Sequence, residues 1–219
     1  MSILKGRTSG EVMHKLVIVG PDRVGKTSLL LTALHGEYPP KKQAYEVSPG
    51  AYERTIRDKD GKETHISMRL WDTAGVNECN RLEVLRYPYA SVVVLAYAID
   101  SPDSFDWAEE RWVPEIDYCL PDVPVILAGL KKDLRDNPVS APTHPRRRQP
   151  GEAYVTKESG ERMARRIGAL YHIECSSLTG EGVKEIFEVA GVASLSGARR
   201  KAKETEKRKT RLPRNCNIV

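Results

Sequence analysis

Residues Gly20 to Thr27 read Gly-Pro-Asp-Arg-Val-Gly-Lys-Thr and follow the apolar run Leu16-Val17-Ile18-Val19. A glycine-bearing loop between a strand and an amphipathic helix start, here Ser28-Leu29-Leu30-Leu31, is the setting of a phosphate-binding loop. Successive backbone N–H groups and the N-terminal end of the helix form a concave set of donors for phosphate oxygens. Lys26 adds a point charge for the terminal phosphates, and the Thr27 hydroxyl is placed to coordinate Mg²⁺. Asp72-Thr73-Ala74-Gly75 stands at the end of another strand-like run, where open α/β sheets place ligand groups. Asp72 can hold Mg²⁺ through water, and the Gly75 N–H can meet a γ-phosphate.

Two further stations select a base. In Leu130-Lys131-Lys132-Asp133, a carboxylate at Asp133 accepts from both N1–H and the exocyclic amine of guanine, a donor pair that adenine lacks. The Lys131 stem can lie on the base face. Glu174-Cys175-Ser176-Ser177-Leu178 completes the pocket by offering backbone N–H to the guanine carbonyl. Four stations in this order are hard to reconcile with an ATPase or kinase built on the same loop.

The elements that must position these stations alternate. Strand-like runs at Lys15–Val19, Ala51–Ile56, Ile66–Trp71, Val92–Ile99, Pro124–Leu130 and Leu170–Glu174 are separated by helical patterns at Lys26–Leu34, Arg81–Arg86, Ser104–Cys119, Thr156–Ile167 and Val183–Ala193. That order specifies an α/β fold, a mostly parallel six-stranded sheet with helices on both faces. The turn-rich Asp58-Lys-Asp-Gly61 leaves no room for a crossover, so the second and third runs form an antiparallel hairpin.

With 219 residues and 40% apolar content, the chain fits one α/β domain plus modest appendages. Four cysteines, Cys79, Cys119, Cys175 and Cys216, have no paired spacing, which argues for a reducing compartment and against a zinc site. The run Ser91–Ile99 is about half of the ~20 residues that a membrane-spanning helix needs. The first residues, Met-Ser-Ile-Leu-Lys, lack a signal-peptide core and the Met-Gly of a myristoylation site. From Ser196 onward nine basic residues face two acidic ones, an excess of seven positive charges, so a net charge of +5 leaves the body at about −2. A mildly acidic body with a basic tail points to an anionic membrane rather than to nucleic acid. The last four residues, Cys216-Asn217-Ile218-Val219, have the Cys-a-a-X form of a prenylation site.

Between residues 14 and 193 the chain resembles the Rho family of Ras-type small GTPases. The resemblance rests on the four stations and on Trp71-Asp-Thr-Ala-Gly, Arg81-Leu-x-x-Leu-x-Tyr-Pro88, Ser101-Pro-Asp-Ser-Phe105, Trp112-x-Pro-Glu115, Lys132-Asp-Leu-Arg135 and Glu174-Cys-Ser-Ser177. It implies a G domain over 14–195 after an N-terminal extension over 1–13, an insert-like loop at about 136–154 that is rich in proline here, and a hypervariable tail over 196–219. It implies GTP or GDP with Mg²⁺ as ligands. Their contacts would come from Gly20, Asp22, Arg23, Val24, Gly25, Lys26, Thr27 and Ser28, with Tyr38 against the guanine edge. Asp72 and Gly75, Lys131, Asp133 and Leu134, and Ser176, Ser177 and Leu178 complete the set.

The chain also departs from that family. Asp22 stands where a second glycine is usual, with Arg23 in place of its small neighbour, and Leu130 replaces an Asn or Thr. Val76 occupies the position of the glutamine that orients attacking water, and valine has no hydrogen-bonding atom. Pro49-Gly50 stands where Pro-Thr is usual; the loop before it is longer than in the family, so Ser48 is an alternative for the threonine. Ala51-Tyr52-Glu53 resembles the effector-contacting Val-Phe-Glu.

Expected partners are effectors through Pro49–Glu53 and the segment after Gly75, exchange factors, a prenyl-binding dissociation inhibitor, and a membrane through Cys216 and the basic tail. The protein is expected to be monomeric. Its expected location is the cytoplasmic face of the plasma membrane or an endomembrane, with a cytosolic fraction. Three functional readings stand at this point: a GTP-loaded switch with little hydrolysis, a scaffold that retains nucleotide poorly, and a slow GTPase with another water-positioning group.

Overall fold

Every residue of β4 (Val92–Ala98) is buried, as it must be in a central parallel strand covered on both faces. Its side chains divide by parity: Val92, Val94, Ala96 and Ala98 enter one core, and Val93, Leu95 and Tyr97 the other. β1 (Met13–Val19) repeats the pattern, with Leu16 and Ile18 on the first side and Val17 and Val19 on the second. The computed structural model describes residues 13–39, 51–57, 61, 63–73, 86–136 and 154–195.

β2 (Ala51–Arg57), β3 (Glu63–Trp71), β5 (Val125–Leu130) and β6 (Tyr171–Glu174) complete a sheet of order β2-β3-β1-β4-β5-β6. β2 and β3 pair antiparallel, from Ala51 opposite Arg69 to Arg57 opposite Glu63. All other neighbours are parallel. This is the expected six-stranded sheet with one antiparallel hairpin. β3 starts earlier than the apolar run because Glu63, Thr64 and His65 continue the hairpin ladder without belonging to the core.

The first core is covered by α1 (Lys26–His35) and by the last described helix, α6, over 183–195. Across the sheet, α2 (Pro102–Trp107), a π-helical segment (Ala108–Trp112) and α3 (Val113–Cys119) pack with α5 (Lys157–Arg166) on the second core. One long helix expected over Ser104–Cys119 is therefore three pieces. Ser101 caps its start, accepting from the Ser104 N–H at 3.3 Å, with Pro102 just inside. Pro114 has no N–H to donate, and in the turn before it the Val113 N–H reaches back to the Ala108 carbonyl. A short α4 (Asp133–Asp136) follows β5; four residues are too few to show a helical periodicity in sequence. Of the expected segment Arg81–Arg86, only Arg86 is among the described residues, and the loop 136–154 is described only at its two ends.

Candidate functional site

The chain leaves β1 at Gly20, whose φ is 138° and where a Cβ would stand 2.1 Å from the Ala96 carbonyl oxygen of β4. Any side chain there would push the loop off the sheet. At the loop's far end Gly25, at φ 111°, is the N-cap of α1 with no side-chain cap, and the first turn holds no acidic residue. The start of α1 and the positive end of its dipole thus suit an anion. Buried Lys26 folds over the same loop, its Nζ donating to the carbonyls of Gly20 at 2.8 Å and Pro21 at 2.7 Å.

Asp22 and Arg23 lie at the outer side of this loop. Arg23 adopts a left-handed φ of 59°, its N–H donates to Asp22 Oδ1 at 2.8 Å, and its Nε lies 3.5 Å from Asp22 Oδ2 with side-chain exposures of 78% and 55%. An ion pair this exposed is worth little, so the Asp22 carboxylate is not locked away by its neighbour.

Across the mouth of the loop the Thr27 hydroxyl donates to Asp72 Oδ2 at 2.5 Å. The other carboxylate oxygen, Oδ1, is buried and has no hydrogen-bond partner among the described residues. Burial pushes the Asp72 carboxyl above its usual range, against the Thr27 hydrogen bond and the Lys26 charge. An orphaned carboxylate oxygen beside a threonine hydroxyl is a donor set suited to a hard divalent cation, whose charge would reverse that upward push. Thr73 pins the strand end through its hydroxyl to the Ile18 carbonyl at 2.9 Å, and the Arg86 guanidinium hydrogen-bonds the Asp72 carbonyl. Gly75 and Val76 lie outside the described residues, as do Ser48, Pro49, Gly50 and Cys216.

The base-side stations come together at the carboxyl ends of β5 and β6. Ser176 Oγ donates to Asp133 Oδ1 at 2.5 Å and accepts the Thr179 N–H at 3.2 Å. The Lys132 N–H meets the Cys175 carbonyl at 3.0 Å, and the Ser176 N–H is taken by the Glu181 carbonyl at 2.9 Å. Of Ser176, Ser177 and Leu178, expected at the nucleotide, the last two are those whose N–H enters no hydrogen bond between described residues. Lys131, at φ 60°, holds its Nζ 3.5 Å from Asp100 Oδ1. Leu134 sits in α4 beside Asp133, Val24 is buried in the first core, and Ser28 belongs to the first turn of α1. Tyr38, two residues past the Gly36 cap of α1, is 44% exposed.

The pair that holds this half of the site in place stands in two of the family-like runs, but its pairing carried no reading in the sequence. Arg135 of α4 makes a fork to Glu174 of β6, Nη1 to Oε1 at 2.7 Å and Nη2 to Oε2 at 2.6 Å, and Nη1 also reaches the Val155 carbonyl at 3.1 Å. Such paired, charge-assisted bonds fix orientation as well as distance, and here they set α4, and with it Asp133, against β6. In the expected effector segment Ala51 and Glu53 are exposed, whereas Tyr52 is 5% exposed and packs on Phe187 with ring centroids 5.0 Å apart.

Residues 15–194 match the Ras family. The chain is 40% identical over 200 residues to the GTP-binding protein RHO1 of Eremothecium gossypii, an alignment covering 90% of this chain and 93% of that protein. It is 39% identical over 208 residues to RHO1 of Saccharomyces cerevisiae, covering 93% and 96%. To the GTP-binding protein rho2 of Schizosaccharomyces pombe it is 41% identical over 190 residues, covering 86% and 90%. With the sheet order, the phosphate loop and the paired base-side loops already in place, the chain belongs to the Rho family of Ras-type small GTP-binding proteins.

Proposed function

We propose that this Rho-type switch is held persistently in its GTP-loaded state because hydrolysis is impaired, and that it works from a membrane surface. The observation that carries the reading is valine at position 76, which has no atom to orient a water against a γ-phosphate. Asp22 supports it, since its exposed carboxylate sits in the phosphate loop where the family has glycine.

In this reading the nucleotide's phosphates lie on the loop Gly20–Thr27 with the Lys26 charge, the Thr27 hydroxyl, and the N–H groups opening α1. Thr27 directly and Asp72 through water would hold Mg²⁺, which supplies charge neutralisation across the terminal phosphates. Asp133 would take the two guanine donors with Lys131 on the base face, Tyr38 on its edge, and the Ser177 and Leu178 N–H groups toward its carbonyl. Gly75 would meet the γ-phosphate. Ala51 and Glu53 offer the exposed part of an effector surface. Exchange factors and a prenyl-binding dissociation inhibitor are the further partners, and the unit that binds them is a monomer.

The identity of nucleotide in freshly purified protein tests the reading. Mainly GTP is expected after gentle extraction and chromatography of the bound nucleotide. Mainly GDP would replace it with a slow but working GTPase, and no nucleotide with a scaffold that retains none.

The anchor is tested separately. A single prenyl chain binds weakly, and each basic residue beside an anionic leaflet adds about 1 kcal/mol. Cys216→Ser should therefore move the protein from the membrane to the cytosolic fraction. Neutralising Lys207, Arg208 and Lys209 should weaken attachment in a salt-dependent way. Retention of the Cys216→Ser protein on membranes at high salt would rule out prenylation as the anchor. Among the described residues no helix is long and apolar enough to cross a membrane.

A further inference from the structure

Beneath the base-side loops, where β4 and β6 face α5, the Tyr97 hydroxyl lies 2.9 Å from His172 Nε2, with the two rings 10° from parallel and their centroids 6.2 Å apart. Backbone walls the contact on two sides. A Cβ on Gly160 of α5 would stand 2.2 Å from His172 Nε2 and 2.8 Å from the phenol oxygen, and one on Gly129 of β5 would stand 2.7 Å from that oxygen. His172 Nδ1 is buried with no hydrogen-bond partner among the described residues. In either neutral tautomer one ring nitrogen is therefore unsatisfied, and an imidazolium would carry both an unsatisfied donor and a buried charge.

Two residues along β6, on the same side of the strand, Glu174 gives both carboxylate oxygens to Arg135 of α4. The charged and titratable groups acting on His172 are Glu174 on its own strand, Lys157 and Glu161 on α5 and Arg135 on α4; from β4 it meets Tyr97. Burial pulls the imidazole below its usual 6.5, with the two glutamates opposing and Lys157 and Arg135 adding to it. Burial likewise pushes Tyr97 upward, so the phenol stays protonated.

We propose that Tyr97 and His172 form a proton-operated latch behind the base loop. While His172 is neutral, the Glu174 carboxylate stays committed to Arg135 and α4 is held. When a solvent proton joins the unprotonated ring nitrogen, the imidazolium competes with Arg135 for Glu174, α4 loosens, and guanine nucleotide leaves faster. The proposal rests on the reading of Asp133 as the guanine acceptor. Because the folded site disfavours the charged ring, its contribution is complete above about pH 6.5 and is lost as pH falls through the lowered value.

The test uses the full chain loaded with a fluorescent GDP derivative and Mg²⁺, with dissociation followed from pH 7.5 to 5.5. In wild type the rate should rise at least about threefold, and by no more than about tenfold per pH unit, the ceiling for one linked proton. The Tyr97→Phe/His172→Phe double variant removes both polar partners together. Its rate should match wild type within about twofold at pH 7.5, and the part of the acid response owed to the latch should vanish. His14, the other described histidine buried enough to be pulled below its usual range, and the nucleotide's own phosphates remain in that variant as controls. Should the double variant fail to fold, the His172 ring resonance in wild type still decides, with an expected midpoint below 6.5. The same pH slope in both proteins, or a midpoint at or above 6.5, overturns the latch. Asp133→Ala should speed release at every pH; if it does not, the base reading fails while the His172 titration still stands by itself.

Discussion

The Asp22→Gly/Val76→Gln double variant should hydrolyse preloaded GTP at the ~10⁻⁴ s⁻¹ scale of an unassisted small GTPase, while the unmodified protein falls at least about tenfold below it. The reaction needs a water in line with the γ-phosphate and charge stabilisation on the transferring group, and positioning supplies much of the rate. In the proposed reading Val76 removes the positioning amide. In that reading Asp22, an exposed side chain paired with its neighbour Arg23, stands where glycine would leave room for water and for an arginine supplied in trans. Arg23 offsets charge but restores no geometry. Val76→Gln alone should therefore recover part of the intrinsic rate and little response to a GTPase-activating protein. The double variant should gain the ~10³–10⁵-fold response that such an arginine provides. Single-turnover measurements with nucleotide retention checked in parallel separate these outcomes. Ordinary turnover in the unmodified protein would end the GTP-loaded reading.

The conformation of the loop Gly20–Thr27 was legible because its physics is local. Gly20, Gly25, Lys26 and Thr27 are neighbours in the chain, and the backbone conformations they need are written in residue type: a glycine under the Ala96 carbonyl and another at the head of α1. The strands were legible for a related reason, since β4 and residues 16–19 of β1 are buried on both faces and read as unbroken apolar runs. What escaped were features decided at long range or by exposed residues. Glu63–His65 extend β3 through hydrogen bonds to β2 and not through burial. The fork between Arg135 and Glu174 joins residues 39 positions apart, and each looks like ordinary surface charge until β6 comes up beside α4. The run Glu174–Leu178 was expected to offer backbone N–H; within it the Ser176 N–H is taken by the Glu181 carbonyl, and its hydroxyl faces Asp133. The one signal within reach was complementarity: a lone arginine two residues past the base aspartate and a lone glutamate two residues before the serine.

Asp133→Ala should weaken guanine nucleotide binding by about 3 kcal/mol or more, at least two decades in Kd, because two hydrogen bonds to a charged acceptor, each worth about 1.5–3 kcal/mol, are lost together. The carboxylate's preparation favours a large effect. Ser176 Oγ holds Oδ1 at 2.5 Å, and the Arg135–Glu174 fork fixes the helix that carries Asp133, so little ordering remains to be done when a base arrives. Ser176→Ala should cost less, since it removes an orienting hydroxyl and leaves the acceptor in place. The same acceptor geometry excludes adenine, which offers a lone pair at N1 where guanine offers a hydrogen. ATP should therefore fail to displace GDP from the wild-type protein even at a thousandfold excess, a margin of about 4 kcal/mol. Displacement titrations of wild type, Ser176→Ala and Asp133→Ala with GTP and ATP read all three effects in one format. Equal affinity for the two nucleotides in wild type would remove guanine selectivity from Asp133. An unchanged GTP affinity in Asp133→Ala would move the base to another part of the β5 and β6 loops, with the Ser177 and Leu178 N–H groups as the remaining donors there.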